Sequence, residues 1–99
     1  MQQSALKSIS TEEFNRLCQV ISKLSDLKEI EAFLCDLMTI EELADASNRL
    51  EIAQRLINKE TFRTIAAETK ASTATITRIN YWLRYGTGGY RRALKKLAE

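Results

Sequence analysis

The sequence predicts an all-α fold of about six helices, and three observations carry that expectation. Proline is absent, the three glycines (Gly86, Gly88 and Gly89) fall in one short stretch, and apolar residues elsewhere recur at helical spacing rather than alternating. The 99 residues suit a single domain, 1–99. Its patterns divide into a scaffold at about 11–58, a helix-turn-helix at 61–85 and a terminal helix at about 90–98.

The first helix is predicted at about 11–24. Ser10 followed by Glu13 reads as a capping box, and Phe14, Leu17, Cys18, Ile21 and Leu24 then recur at the spacing of one helical face. Ser25 can cap the second helix, which runs to about Leu37. Asp26 and Glu29 lie near its positive end, and Leu27, Ile30, Leu34 and Leu37 form its stripe. Thr39 with Glu42 is another capping box and opens the longest helix, roughly 40–58. Leu43, Ala46, Leu50, Ala53 and Ile57 make one row along it, while Ile52 and Leu56 lie off that row. A helix apolar on more than one side needs more than one neighbour. The same region of a second copy supplies one economically, so a homodimer is expected, with a tightly packed monomer as the alternative.

Two short helices joined by a tight turn come next. Thr61 caps one that buries Ile65 and Ala66; Ser72 caps the other, its hydroxyl placed to accept from a free N–H of the first turn. Lys70 stands in the turn where glycine is usual. At about 100° per residue, Ile76, Ile79 and Leu83 share one face, and Ala74, Thr77, Arg78 and Tyr81 lie roughly opposite. A helix pair that reads DNA needs this division. It has a small residue at the crossing, Ala66, an apolar inner face, and short polar groups outside, here Thr73, Thr77 and Arg78. A plain helical hairpin shares the periodicity, but the charges favour DNA. Between residues 61 and 97 the bases are Arg63, Lys70, Arg78, Arg84, Arg91, Arg92, Lys95 and Lys96, against the single acid Glu68.

The GTGG segment ends the second of these helices with residues that tolerate a positive φ. The last helix, about 90–98, is expected to turn Ala93, Leu94 and Leu97 inward and Arg91, Arg92, Lys95 and Lys96 outward, as a solvated face or a phosphate clamp.

Charge is divided along the chain. Residues 1–50 carry five bases and nine acids, residues 51–99 ten and four, which suits a scaffold half and a half that meets phosphates. Cys18 and Cys35 are too few and too far apart for a metal box, and with no histidine present they read as buried free thiols of a reducing cytoplasm. No metal or cofactor is expected. No apolar run approaches the ~18 residues of a membrane span, and MQQSALKSIS lacks the apolar centre of a signal peptide, so the protein is expected to be soluble and cytoplasmic. An enzyme is the poorest reading. There is no nucleophile beside a base and no glycine-rich phosphate loop, and Glu12-Glu13 and Glu41-Glu42 are accounted for as helix N-terminal charges.

ATITR, residues 74–78, resembles the Trp repressor family, and the resemblance runs from about Leu37 through Leu83. Leu37 to Ile57 is similar to that family's third helix, and the length and size order of the helices resemble the YerC/YecD group of Trp-repressor-like proteins. The resemblance implies an intertwined all-α homodimer, a repressor whose two recognition helices enter successive major grooves of a palindromic operator. It also implies that Arg63 contacts phosphate, and that Thr73, Ala74, Thr75 and Thr77, with Ser72 and Arg78 flanking them, meet double-stranded DNA. The family's ligand is tryptophan, and Thr39, Arg49 and Arg78 match positions of its pocket. Ile79 stands where the family has a glycine, and Trp82 where it has a serine that meets the ligand's amino group. Both side chains take volume the ligand would need, so tryptophan control is not expected; Arg49 and Arg78 are then read as ion-pair or phosphate contacts, and any other effector is left open. The rival reading is a helical protein-interaction module without specific DNA binding.

Overall fold

The computed structural model describes residues 11–99, which form six helices and no strand. They are α1 (Glu12–Lys23), α2 (Leu27–Leu37), α3 (Ile40–Ile57), α4 (Phe62–Thr69), α5 (Thr73–Tyr85) and α6 (Gly89–Ala98). The expected capping box opens α3: the Thr39 hydroxyl accepts from the Glu42 N–H at 3.1 Å, and the Glu42 carboxylate accepts from the Thr39 N–H at 2.9 Å. The other two scaffold caps differ from expectation. Ser10 lies outside the described residues, and α1 starts one residue later than a Ser10 cap would set it, with Thr11 accepting from the Phe14 N–H. Asp26 rather than Ser25 precedes α2, and its side chain makes no cap bond.

The core is assembled around the second half of α3. Ile52 and Ala53 from α3, Ile65 from α4, Ile76, Ile79 and Leu83 from α5, and Leu94 from α6 are buried together. Leu56, Ile57, Ala66, Ala71 and Tyr90 pack around them. In this single chain the helix-turn-helix therefore uses Ile52, off the long row of α3, as its anchor. The front of that row has little cover, with Ala46 exposed and Leu50 41% exposed. Neither α1 nor α2 contributes a buried residue, and Leu27 and Ile40 are 69% and 83% exposed. Cys18 and Cys35, expected to be buried, are exposed for the same reason. At the other end Leu94 is buried as expected, but Ala93 is exposed and Leu97 is 78% exposed. Of the three α6 residues expected to turn inward, Leu94 alone is buried.

Apolar helices lying open give the molecule an expanded form. Its radius of gyration is 14.6 Å, against about 13 Å for a compact domain of this length. Its accessible surface is 7871 Å², roughly 2,000 Å² more than the ~5,700 Å² of a compact monomer of this mass.

Candidate nucleic-acid interface

Local chemistry fixes the two helices and their turn. Thr61 caps α4 by accepting from the Thr64 N–H at 3.1 Å, which satisfies one of the free donors of the first turn. At the other end the Thr69 hydroxyl donates to the Ile65 carbonyl at 2.7 Å and accepts from the Ala71 N–H at 3.3 Å, tying the turn back onto α4. Lys70 adopts the left-handed conformation, φ 60° and ψ 18°, that glycine usually takes at a helix end. Ser72 then caps α5, accepting from the Thr75 N–H at 3.1 Å. The turn forms without glycine because the side-chain bonds of Thr69 and Ser72 bracket it.

Burial divides α5 as its periodicity requires. Ile76 and Ile79 are fully buried and Leu83 nearly so, while Thr73, Ala74, Thr77, Arg78 and Tyr81 are exposed on the outer side. Thr73, Ala74, Thr77, Arg78, Tyr81 and Trp82 line an open groove of about 520 Å³ along that side. Arg63 is exposed on α4, and among the described residues neither Arg63 nor Arg78 forms an ion pair. Their charges are thus free for an outside anion. Thr75 differs from its neighbours: it is half-buried, and its hydroxyl accepts from the Ser72 hydroxyl at 3.0 Å. Ser72 and Thr75 hold the start of α5, whereas Thr73, Ala74 and Thr77 present it.

The positions matched to an effector pocket differ in their surroundings. Thr39 is engaged in the α3 capping box, and Ile79 lies in the core with Ile52, Ile65 and Ile76. Arg49 is exposed near Tyr90, whose hydroxyl burial pushes above its ordinary pKa while the Arg49 charge pulls it back. Trp82 is half-buried and forms part of the wall of two open grooves, the one on α5 and another of about 400 Å³ against Tyr90 and the Thr87–Gly89 turn.

Two features were not anticipated. Tyr81 and Tyr85, both exposed and one turn apart, have ring centroids 4.9 Å apart, and their i, i+4 spacing was the available signal. Arg55 gathers three carboxylates: Glu51 at 2.8 Å, Glu60 at 3.0 Å and Glu68 at 2.5 Å. Glu68, then Glu51 and Glu60, hold its guanidinium pKa well above the ordinary range. Only the Glu51 spacing was visible in the sequence.

Residues 12–98 match the family model described as Trp repressor protein. The chain belongs to the Trp repressor family. Within that family it is 41% identical over 87 residues to the uncharacterized protein YerC of Bacillus subtilis (strain 168), covering 88% of this chain and 84% of that one. It is 40% identical to the TrpR-like protein from Eubacterium eligens ATCC 27750, a crystal structure that superposes with a TM-score of 0.86 over 93% of this chain and 95% of the other. A crystal structure from Staphylococcus aureus, 31% identical, gives 0.88 over 99% and 95%. The all-α Trp-repressor-like fold read from the sequence is thus the fold observed. No helix among the described residues is long and apolar enough to cross a membrane.

Proposed function

We propose that this Trp repressor family member is a sequence-specific DNA-binding transcriptional regulator, a repressor that acts as a homodimer on a two-fold operator. The observation that carries the reading is the division of α5. Its apolar face is used up in the core, while Thr73, Ala74, Thr77 and Arg78 are presented to solvent, and Arg63, which forms no ion pair among the described residues, is exposed on α4. Short hydroxyls and a methyl approach base edges in a major groove directly or through water, and the arginines hold register on phosphate. Tyr81, exposed on the same side, extends the surface by one turn.

The dimer is supported by what one chain leaves uncovered. Val20, Ile21, Leu27, Leu37, Ile40 and Leu50 are all exposed, and they all lie on α1, α2 and the front of α3. Soluble chains of this size do not keep so much apolar surface in water. A second copy intertwined through these helices would cover it and place two recognition helices on one duplex face, about 34–36 Å apart or a multiple of that.

Tryptophan is not the ligand on this reading. Ile79 is a core residue, so the position that a glycine would leave open is filled by a branched side chain packed on three others. Selection of bound duplexes from a random pool tests the function directly. Recovery of a two-fold motif is the expected result; recovery of unenriched sequence would favour a helical module that docks acidic protein partners.

A further inference from the structure

The Arg55 cluster joins the scaffold to the reading helices, and its geometry bears on how α4 is held. Nε of Arg55 donates to Glu51 one turn earlier on α3, which fixes the guanidinium against its own helix. Nη1 donates both to Glu60 in the α3–α4 connection and to Glu68 on α4. One side chain thus ties three successive segments. α4 has few other restraints. It spans eight residues, buries only Ile65 fully, and is bracketed by Lys59 at φ 67° and Lys70 at φ 60°. Non-glycine residues enter that region only where the surroundings hold them there.

Charge adds a second argument. Glu68 is the single acid between residues 61 and 97. Five residues separate it from Arg63, about 140° around the helix, so it is turned from the face that carries the arginine. Arg55 meets it on that other side.

We propose that Arg55 is a positioning residue for DNA reading: by holding Glu60 and Glu68 it fixes α4, and through the Lys70 turn the start of α5, on the α3 scaffold. This rests on the DNA-binding reading above. Arg55 touches no base or phosphate; it sets where Arg63 and Thr73 stand.

Positioning and simple charge balance predict opposite signs for one variant. Glu68→Gln removes a negative charge from the basic half, so charge alone would strengthen binding to every duplex equally. Positioning predicts that random duplex is bound at least as well while the preference for the selected duplex falls about fivefold, the scale of a surface ion-pair network. Fluorescence anisotropy of the full-length chain, with selected and random duplexes of equal length, reads both quantities. Arg55→Gln, which also frees Glu51 and Glu60, should lower the preference at least as far, and adding Glu68→Gln to it should lower it no further, since the contact with Glu68 is already lost. Unchanged preference in both single variants, even with a lower melting temperature, would reduce Arg55 to a stabilising ion pair. Full restoration in the double variant would mean that charge, not position, matters. A wild-type chain with no preference among duplexes overturns this inference and the DNA reading together, whereas a preference indifferent to Arg55 and Glu68 overturns this inference alone.

Discussion

Shortening Leu37 and Leu50 to alanine tests the proposed dimer, because their own chain covers only about half of each side chain. In the single chain they are 48% and 41% exposed. Leucine exceeds alanine by three carbons, worth about 2.4 kcal/mol when fully buried at ~0.8 kcal/mol each. The part still exposed is then worth about 1 kcal/mol per residue if a partner covers it. Two residues in each of two copies give about 4 kcal/mol, or a roughly 10³-fold weaker dimer. Alanine is the best helix former, so α2 and α3 should persist. Sedimentation equilibrium across nanomolar to micromolar protein should show wild type dimeric at micromolar concentration and Leu37→Ala/Leu50→Ala shifted toward monomer by about that factor. The wild-type melting temperature should rise with concentration, as it does when folding and association are linked. A wild-type monomer at micromolar concentration, or a double variant whose dissociation constant stays within threefold of wild type, would refute the assignment of this face.

Further outcomes follow from the reading helices. Arg63→Ala should weaken selected and random duplexes alike and flatten the salt dependence by roughly one unit, measured by titration at several salt concentrations. Thr77→Ala should instead narrow the gap between selected and random duplex by about 1–3 kcal/mol, with random binding nearly unchanged. L-Tryptophan should give no calorimetric binding, since making room at Ile79 would cost on the order of 1–3 kcal/mol or more; stoichiometric micromolar binding would show that the volume argument fails. Lys70→Gly should raise stability by about 0.5–1 kcal/mol in chemical denaturation. It relieves the left-handed backbone, worth ~1–2 kcal/mol, and returns part of that as unfolded-state entropy.

The reading helices were legible from the sequence because each feature there is local. Caps at Thr61 and Ser72 are set by side chains within three residues, and the inner face of α5 follows from helical period alone. The capping box of α3 was visible for the same reason, through Thr39 and Glu42. What escaped is non-local. Periodicity placed Leu97 on the inner face of α6, but whether a face is covered depends on what another segment brings to it, and Leu94 meets the core where Leu97 does not. Ser25 and Asp26 are adjacent and equally able to cap, so the choice between them fell to the path of the chain between α1 and α2. In the candidate interface, nothing in the residue type separates Thr75 from its neighbours; the Ser72 hydroxyl that donates to it does. Arg55 was hidden because Glu68 lies thirteen residues away.

The placement of the core within residues 52–94 has a kinetic consequence. Its helices are close in sequence, the arrangement that folds quickly, since little chain must be searched to bring the contacts together. α1 and α2 contribute no fully buried residue in a lone chain, so their backbone amides should exchange with solvent much faster than those of the core helices unless a second copy covers them. Assembly of the proposed homodimer then has a first-order step that builds the helix-turn-helix and a second-order step that orders α1 and α2. Pulse-labelled hydrogen exchange would separate the two, with protection of the second half of α3, α4 and α5 independent of protein concentration and protection of α1 and α2 rising with it.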